Sequence, residues 1–329
     1  MRYVRNIASK TLTLGQPETF LMPRNYVNRC LVLRLAGSVT VSGTTNNGAV
    51  KSAGIWWTIG NIRVRREGRD TLISIPGFLL YHLNRLLYKT SPLLTNATTG
   101  AAQTNTALSG TLILPFENLL GIRKFDTCLK GAGLSSLDLL IDTAAISNMF
   151  GSGFANAATV GATAMSLSID VVEEVGVNNW NFGDIRLSLI AKAVVSATSA
   201  NFQIKPLPVG NYYKGFLLYS EDTDAASDAI INNIKLKSGS EVIIDVPALD
   251  LKGALKLDQQ NETAIDTGAY YLDLMPDGRL NSCLDVTPGS GRETLEMELN
   301  VTVGSGTTNI YVVGLEYIPP VIANKAPRK

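Results

Sequence analysis

Asn61-Ile62-Arg63-Val64-Arg65, a polar turn through Gly68, and Leu72-Ile73-Ser74-Ile75-Pro76 return later as Asn233-Ile234-Lys235-Leu236-Lys237, Gly239 and Ile243-Ile244-Asp245-Val246-Pro247. The offset is 172 residues at the start and 171 at the proline, so one residue is lost in the turn. Each copy alternates apolar and charged residues, the pattern of a half-buried strand, and two such runs across a short glycine-containing turn predict a hairpin. Solenoid units repeat every 20 to 50 residues or so, so a period this long indicates two similar domains.

The echo continues downstream. Thr127-Cys128-Leu129-Lys130 precedes a run with Leu137, Leu139 and Ile141, and Ser282-Cys283-Leu284-Asp285 precedes one with Leu295, Met297, Leu299 and Val301. Each run is followed by a further apolar segment, Met165 to Val172 and Ile310 to Ile318. Between the apolar runs lie Gly, Asn and Asp at about ten-residue spacing, which predicts sandwich-type β domains. Phe78, Leu79, Tyr81, Leu83, Leu86 and Leu87 follow Pro76-Gly77 near helical spacing and predict one helix, its apolar stripe packed into the core. The counterpart after Pro247 predicts a shorter helix or a turn. Ser91 to Gly110 and Gly151 to Thr163, rich in Thr, Ala, Asn and Gly, read as long surface loops of the first domain.

The 329 residues are 45% hydrophobic and 17% charged, which suits two domains with cores of their own and excludes a disordered chain. No stretch approaches the ~20 apolar residues of a spanning helix, and Met1-Arg2-Tyr3-Val4-Arg5-Asn6 lacks the apolar centre of a signal peptide, so synthesis in the cytoplasm is expected. Cys30, Cys128 and Cys283 are too few for a disulfide framework and read as small buried residues. The net charge of +1 hides a split: residues 1–90 carry 13 Lys and Arg against 3 Asp and Glu, the remainder 16 against 25. A chain of +10 followed by −9 implies head-to-tail contact between copies or an anionic partner for the basic part.

Catalytic signals are sparse. His82 is the sole histidine, so a Ser-His or Cys-His device would have to use it, and a histidine-rich metal cluster is ruled out. No phosphate loop or dinucleotide fingerprint is present. Asp222, Asp224 and Asp228, in an acidic stretch with Glu221, could gather a structural calcium ion, although the glycine and glutamate of an EF-hand are missing. No other cofactor is expected.

The doubled strand order and the Ile-Arg-Val-Arg, Gly, Ile-Ser-Ile-Pro-Gly, Leu-Leu-Tyr-His-Leu succession (residues 62–83) resemble the double jelly-roll major capsid proteins of tailless icosahedral phages with an internal membrane, of the PM2 or the Flavobacterium-infecting lipid-containing type. The resemblance spans roughly residues 20 to 318. It implies an all-β chain of two tandem eight-stranded jelly rolls with a short helix in the first: a basic N-terminal arm (1–19), a first roll (20–176), a second roll (177–318) and a basic C-terminal tail (319–329). It further implies a non-enzymatic coat subunit in the virion capsid, three copies forming a pseudo-hexameric trimer that meets neighbouring trimers, penton or spike proteins, minor capsid proteins and inner-membrane lipid, without sequence-specific nucleic-acid binding. Arg2, Arg5, Lys10, Lys325, Arg328 and Lys329 would then face the membrane, and Trp56, Trp57, Tyr212 and Tyr213 would lie near buried contacts. A carbohydrate-binding phage spike or adhesin and a β-sandwich hydrolase would share the architecture.

Overall fold

The computed structural model describes residues 2–43, 49–87, 93–96, 100–118, 121, 124–177, 182–258 and 266–320. In chain order the first half contains β1 (Arg2–Thr11), β2 (Pro17–Leu21), β3 (Val27–Ser42), β4 (Ile59–Arg66), β5 (Asp70–Ile75), α1 (Gly77–Leu87), β6 (Gln103–Pro115), β7 (Leu137–Thr143) and β8 (Ser166–Glu174). The second contains β9 (Asp184–Val195), β10 (Ser199–Ile204), β11 (Tyr212–Asp222), β12 (Ile231–Ser238), β13 (Glu241–Pro247), α2 (Ala248–Asp258), β14 (Ala269–Asp273), β15 (Glu296–Val301) and β16 (Thr308–Ile318).

Each strand of the first half has its counterpart eight strands later. The order β1-β8-β3-β6 recurs as β9-β16-β11-β14, and β2-β7-β4-β5 as β10-β15-β12-β13. Each half is therefore an eight-stranded jelly roll, two antiparallel sheets face to face. Their opposed inner faces carry the alternating apolar residues that the sequence shows: Leu31, Leu33 and Leu35 face Ile62, Val64, Leu139 and Ile141 in one core, and Phe216 and Leu218 lie in the other with Ile234, Leu236, Met297 and Leu299.

The duplication extends to defects. A bulge inserts one residue into one strand of a pair and bends it, and four recur at matching places. Ile7 and Ile190 are the extra residues where β1 meets β8 and β9 meets β16. Arg29 and Lys214 are extra opposite β8 and β16. Gly60 and Asn232 are extra opposite β7 and β15, and Leu72 and Ile243 opposite β4 and β12. The residue lost in the repeat lies in the hairpin turn, Glu67-Gly68-Arg69 in the first roll and Gly239-Ser240 in the second. Glu67 and Gly68 (φ 53° and 72°) and Gly239 (φ 56°) take the left-handed backbone that such tight reversals need.

Several sequence expectations change here. Residues 2–11 of the expected basic arm form β1, paired along its length with β8 from Arg2 opposite Glu174 to Thr11 opposite Ser166. The second helix is as long as the first, 11 residues each. Within the expected loop 91–110, Leu94–Asn96 pairs with β6, which begins at Gln103; within 151–163, Ala157–Val160 pairs with β3. The short segments carry little apolar contrast, since among the described residues only Leu94 and Ala158 pack against the core, beside exposed Leu93, Thr95, Ala157 and Thr159, so alternation could not announce them. The described residues contain no helix long and apolar enough to cross a membrane.

Candidate functional site

The two rolls share a seam. β9 lies parallel to β5, with Leu187 beside Ile73 and Ser188 beside Ser74, and this fuses one sheet from each roll into a ten-stranded sheet. Arg66 bonds Asp70 on its own hairpin and reaches Asp184 on β9 at 2.8 Å, while Arg186 returns to Asp70 at 3.3 Å. Burial raises the Asp184 carboxyl above its ordinary range against the pull of Arg66. Charges on both strands therefore hold the register that the short parallel pairing sets.

α1 fills the space behind the seam, with every described side chain except that of Arg85 buried. A helix apolar on most of its circumference needs cover on two sides, and the second roll supplies the second cover. Trp57 stacks on Phe78 at 3.8 Å, and Phe78 meets the edges of Tyr219 and Tyr311 at 5.8 and 5.3 Å. Leu187, Leu217, Tyr219, Tyr271, Tyr311, Val313 and Leu315 of the second roll belong to the same apolar cluster as the first roll's core.

His82 belongs to this seam. It is fully buried, its ring stacks on Tyr219 at 4.4 Å, Nδ1 meets Asp266 Oδ2 at 2.7 Å and Nε2 meets Ser52 Oγ at 3.3 Å. Arg85 holds the other oxygen of Asp266 at 2.7 Å. The connectivity is that of a Ser-His-Asp relay, but the histidine is closed over by aromatic rings and its carboxylate is shared with an arginine. The arrangement ties Ser52 and α1 of the first roll to Asp266 and Tyr219 of the second.

The three aspartates do not converge. Asp222 accepts the backbone N–H groups of Ser305 (2.9 Å) and Gly306 (3.1 Å) and the Thr308 hydroxyl; desolvation pushes its carboxyl up, and these donors together outweigh it and hold the carboxyl below the ordinary value. Asp224 pairs across the seam with Lys51 at 3.0 Å. Asp228 accepts Gly268 N–H at 2.6 Å and Tyr270 OH at 3.2 Å and binds the Lys252 ammonium. Among the described residues no group of three or more His, Cys, Asp or Glu could hold a metal ion. Asp222 and Asp224 instead flank a turn: Thr223 and Asp224 have φ of 51° and 66°, and Ser152 of the first roll donates to the Thr223 carbonyl at 2.9 Å.

Of the basic candidates, Arg5 lies 3.1 Å from the fully buried carboxylate of Glu173, and Lys10 pairs with Glu18. Arg2 is exposed at the start of β1, and Lys325, Arg328 and Lys329 lie outside the described residues. Trp56 and Tyr213 are core residues, Trp57 is on the seam, and Tyr212 is half-buried 6.1 Å from Tyr317. Cys30, Cys128 and Cys283 are free and buried, and burial pushes their thiols up to about 12, 12 and 11.

No family model and no curated protein matches the chain. Solved structures do. The crystal structure of the STIV MCP aligns with a TM-score of 0.78 at 18% identity over 100% of both chains. A chain of the atomic structure of Sulfolobus Turreted Icosahedral Virus aligns at 0.75 and 19% identity, covering 97% of this chain and 91% of that one. The major capsid protein P2 of bacteriophage PM2 aligns at 0.64 and 16% identity, covering 98% and 99%. At these identities the likeness is one of fold, and the fold is the double jelly roll.

Proposed function

We propose that this double jelly roll is the major capsid protein of an icosahedral virus, a structural subunit whose work is assembly. The observation that carries the proposal is the end-to-end alignment of the chain with capsid proteins: it covers 100% of the STIV MCP and 99% of PM2 P2. A fold alone does not fix a function, but the alignment runs the length of the chain, and among the described residues the polar clusters at the seam and hairpin tip tie the two rolls together. The adhesin and hydrolase readings draw no comparable support.

In the finer reading, the first roll ends near residue 176, the second near 318, and three copies place six similar rolls around an axis as a pseudo-hexamer that packs beside its neighbours and against penton and minor capsid proteins. Because Arg5 and Lys10 are engaged within the first roll, contact with an internal membrane would fall to Arg2 and the C-terminal Lys325, Arg328 and Lys329. Light scattering and negative-stain electron microscopy of the purified protein test the proposal: trimers of hexagonal outline are expected, and a monomer at every concentration overturns it.

A further inference from the structure

β5 has a strand on both sides, whereas its counterpart β13 is the outer strand of its sheet, with no second strand paired to it among the described residues. The difference shows in burial. Leu72, Ile73 and Ile75 of β5 are buried, while Ile243, Ile244 and Val246, 171 residues later, are only half-buried and Val242 is 50% exposed. An unpaired apolar strand is a template for another strand. The strand that covers β5 is β9, and the counterpart of β9 is β1, itself an outer strand with Tyr3 and Val4 each 52% exposed. One chain thus carries both halves of a second seam and joins neither.

We propose that β1 of one copy adds in parallel to β13 of the next, repeating between chains the seam that β9 and β5 make within one. The inference rests on the capsid reading above and supplies its contact. The shared bulges set the register. Aligning Ile7 with Ile190 carries Leu187 onto Val4 and Ser188 onto Arg5; aligning Leu72 with Ile243 carries Ile73 onto Ile244 and Ser74 onto Asp245. The Leu187–Ile73 pair becomes Val4 beside Ile244, and the Ser188–Ser74 pair becomes Arg5 beside Asp245. An apolar pair stays apolar and a neutral pair becomes one of opposite charge: Arg5, which holds Glu173 within its own roll, and Asp245, which holds Lys235 at 3.0 Å, each gain a second partner, in a chain whose first 90 residues are +10 and whose remainder is −9.

The two seams differ in how wet they are. Within the chain, Tyr219 and Tyr311 meet Phe78 of α1, and Val313 belongs to the same apolar cluster. The counterparts of these residues on the outer face of the first roll are Arg34, Ser168 and Asp170, with Arg34 and Asp170 ion-paired. The seam inside the chain is sealed like a protein core, and the one between chains is polar, as suits surfaces that stay soluble until they meet. The contact joins two different surfaces, so copies add head to tail, and in the trimer of the capsid reading it would close a ring of six rolls.

The test mixes two populations, Val4→Cys and Ile244→Cys. Neighbouring strands lie about 4.8 Å apart, within disulfide range, and the native cysteines are buried. Oxidation should link the mixture into dimers while leaving each variant alone unlinked, and a chain carrying both substitutions should give a covalent trimer. Asp245→Lys, on an exposed side chain, should weaken association about tenfold at low salt. Trimers that form yet neither cross-link nor respond to Asp245→Lys overturn the strand pairing and leave the capsid reading standing. Monomers at every concentration overturn both.

Discussion

Lys214 takes in the second roll the bulged position of Arg29 in the first, and the two charges fare differently. Arg29 bonds Glu117 at 2.7 Å and lies 3.5 Å from Glu174, whereas Lys214 is 3% exposed beside Leu187, Tyr271 and Leu315 in a cleft between the rolls. Burial pulls its ammonium down to about 8, against the milder opposing influence of Cys283 and Asp273. The unfolded chain holds that proton up to about 10.5, so the folded state gains on the unfolded as pH rises from about 8 to 10.5, and below 8 the cost of the buried charge is borne in full. Lys214→Met should therefore stabilise the protein at pH 7 by roughly 3 kcal/mol, a gain that shrinks towards pH 10. Denaturant melts of both proteins at the two pH values check this, and a gain independent of pH would contradict it. Arg29 belongs to the basic first 90 residues of the sequence, yet only the fold reveals that it neutralises two glutamates.

At the scale of elements, equal helices in equal places have unequal duties. Phe78 in α1 is 6% exposed and enclosed by three aromatic rings, while Leu249, 171 residues later at the matching place in α2, is 62% exposed. Phe78→Ala should cost about 3 to 5 kcal/mol because the cavity cannot close against two rolls at once. Leu249→Ala should change the stability of the isolated subunit by less than about 0.5 kcal/mol. Thermal melts of the two variants decide the matter, and similar losses would show that α2 is packed as α1 is. The sequence made α1 legible through its apolar spacing; α2 looked shorter because Leu249, Leu251, Leu255 and Leu257 skip the positions of a continuous stripe.

For the whole molecule, the shared sheet, the interposed helix and the Arg66–Asp184 and Lys51–Asp224 bridges leave little for either roll to do alone. Calorimetry should show a single unfolding transition, with the calorimetric and van't Hoff enthalpies in agreement; two separable transitions would mean that the seam is a contact between independent domains. The three aspartates that the sequence offered as calcium candidates stay apart for a reason also visible at this scale. Asp222, Asp224 and Asp228 are close in sequence, but the hairpin between them sends each to a different part of the molecule.

The sequence by itself determined the duplication, the hairpins, the first helix and the apolar alternation of the cores, because strand pairing with one face buried imposes a period of two on any chain that folds this way. It also carried the charge split between the basic first 90 residues and the acidic remainder. What it could not carry was the fate of each edge. Ile73 and Ile244 occupy matching places in near-identical runs, and one is buried while the other is half-exposed. That difference arises from which strand lies alongside, a long-range choice that only the tertiary structure makes. For the same reason β1 read as a loose basic arm: its partner strand begins at Ser166, and nothing local in Arg2–Thr11 announces it.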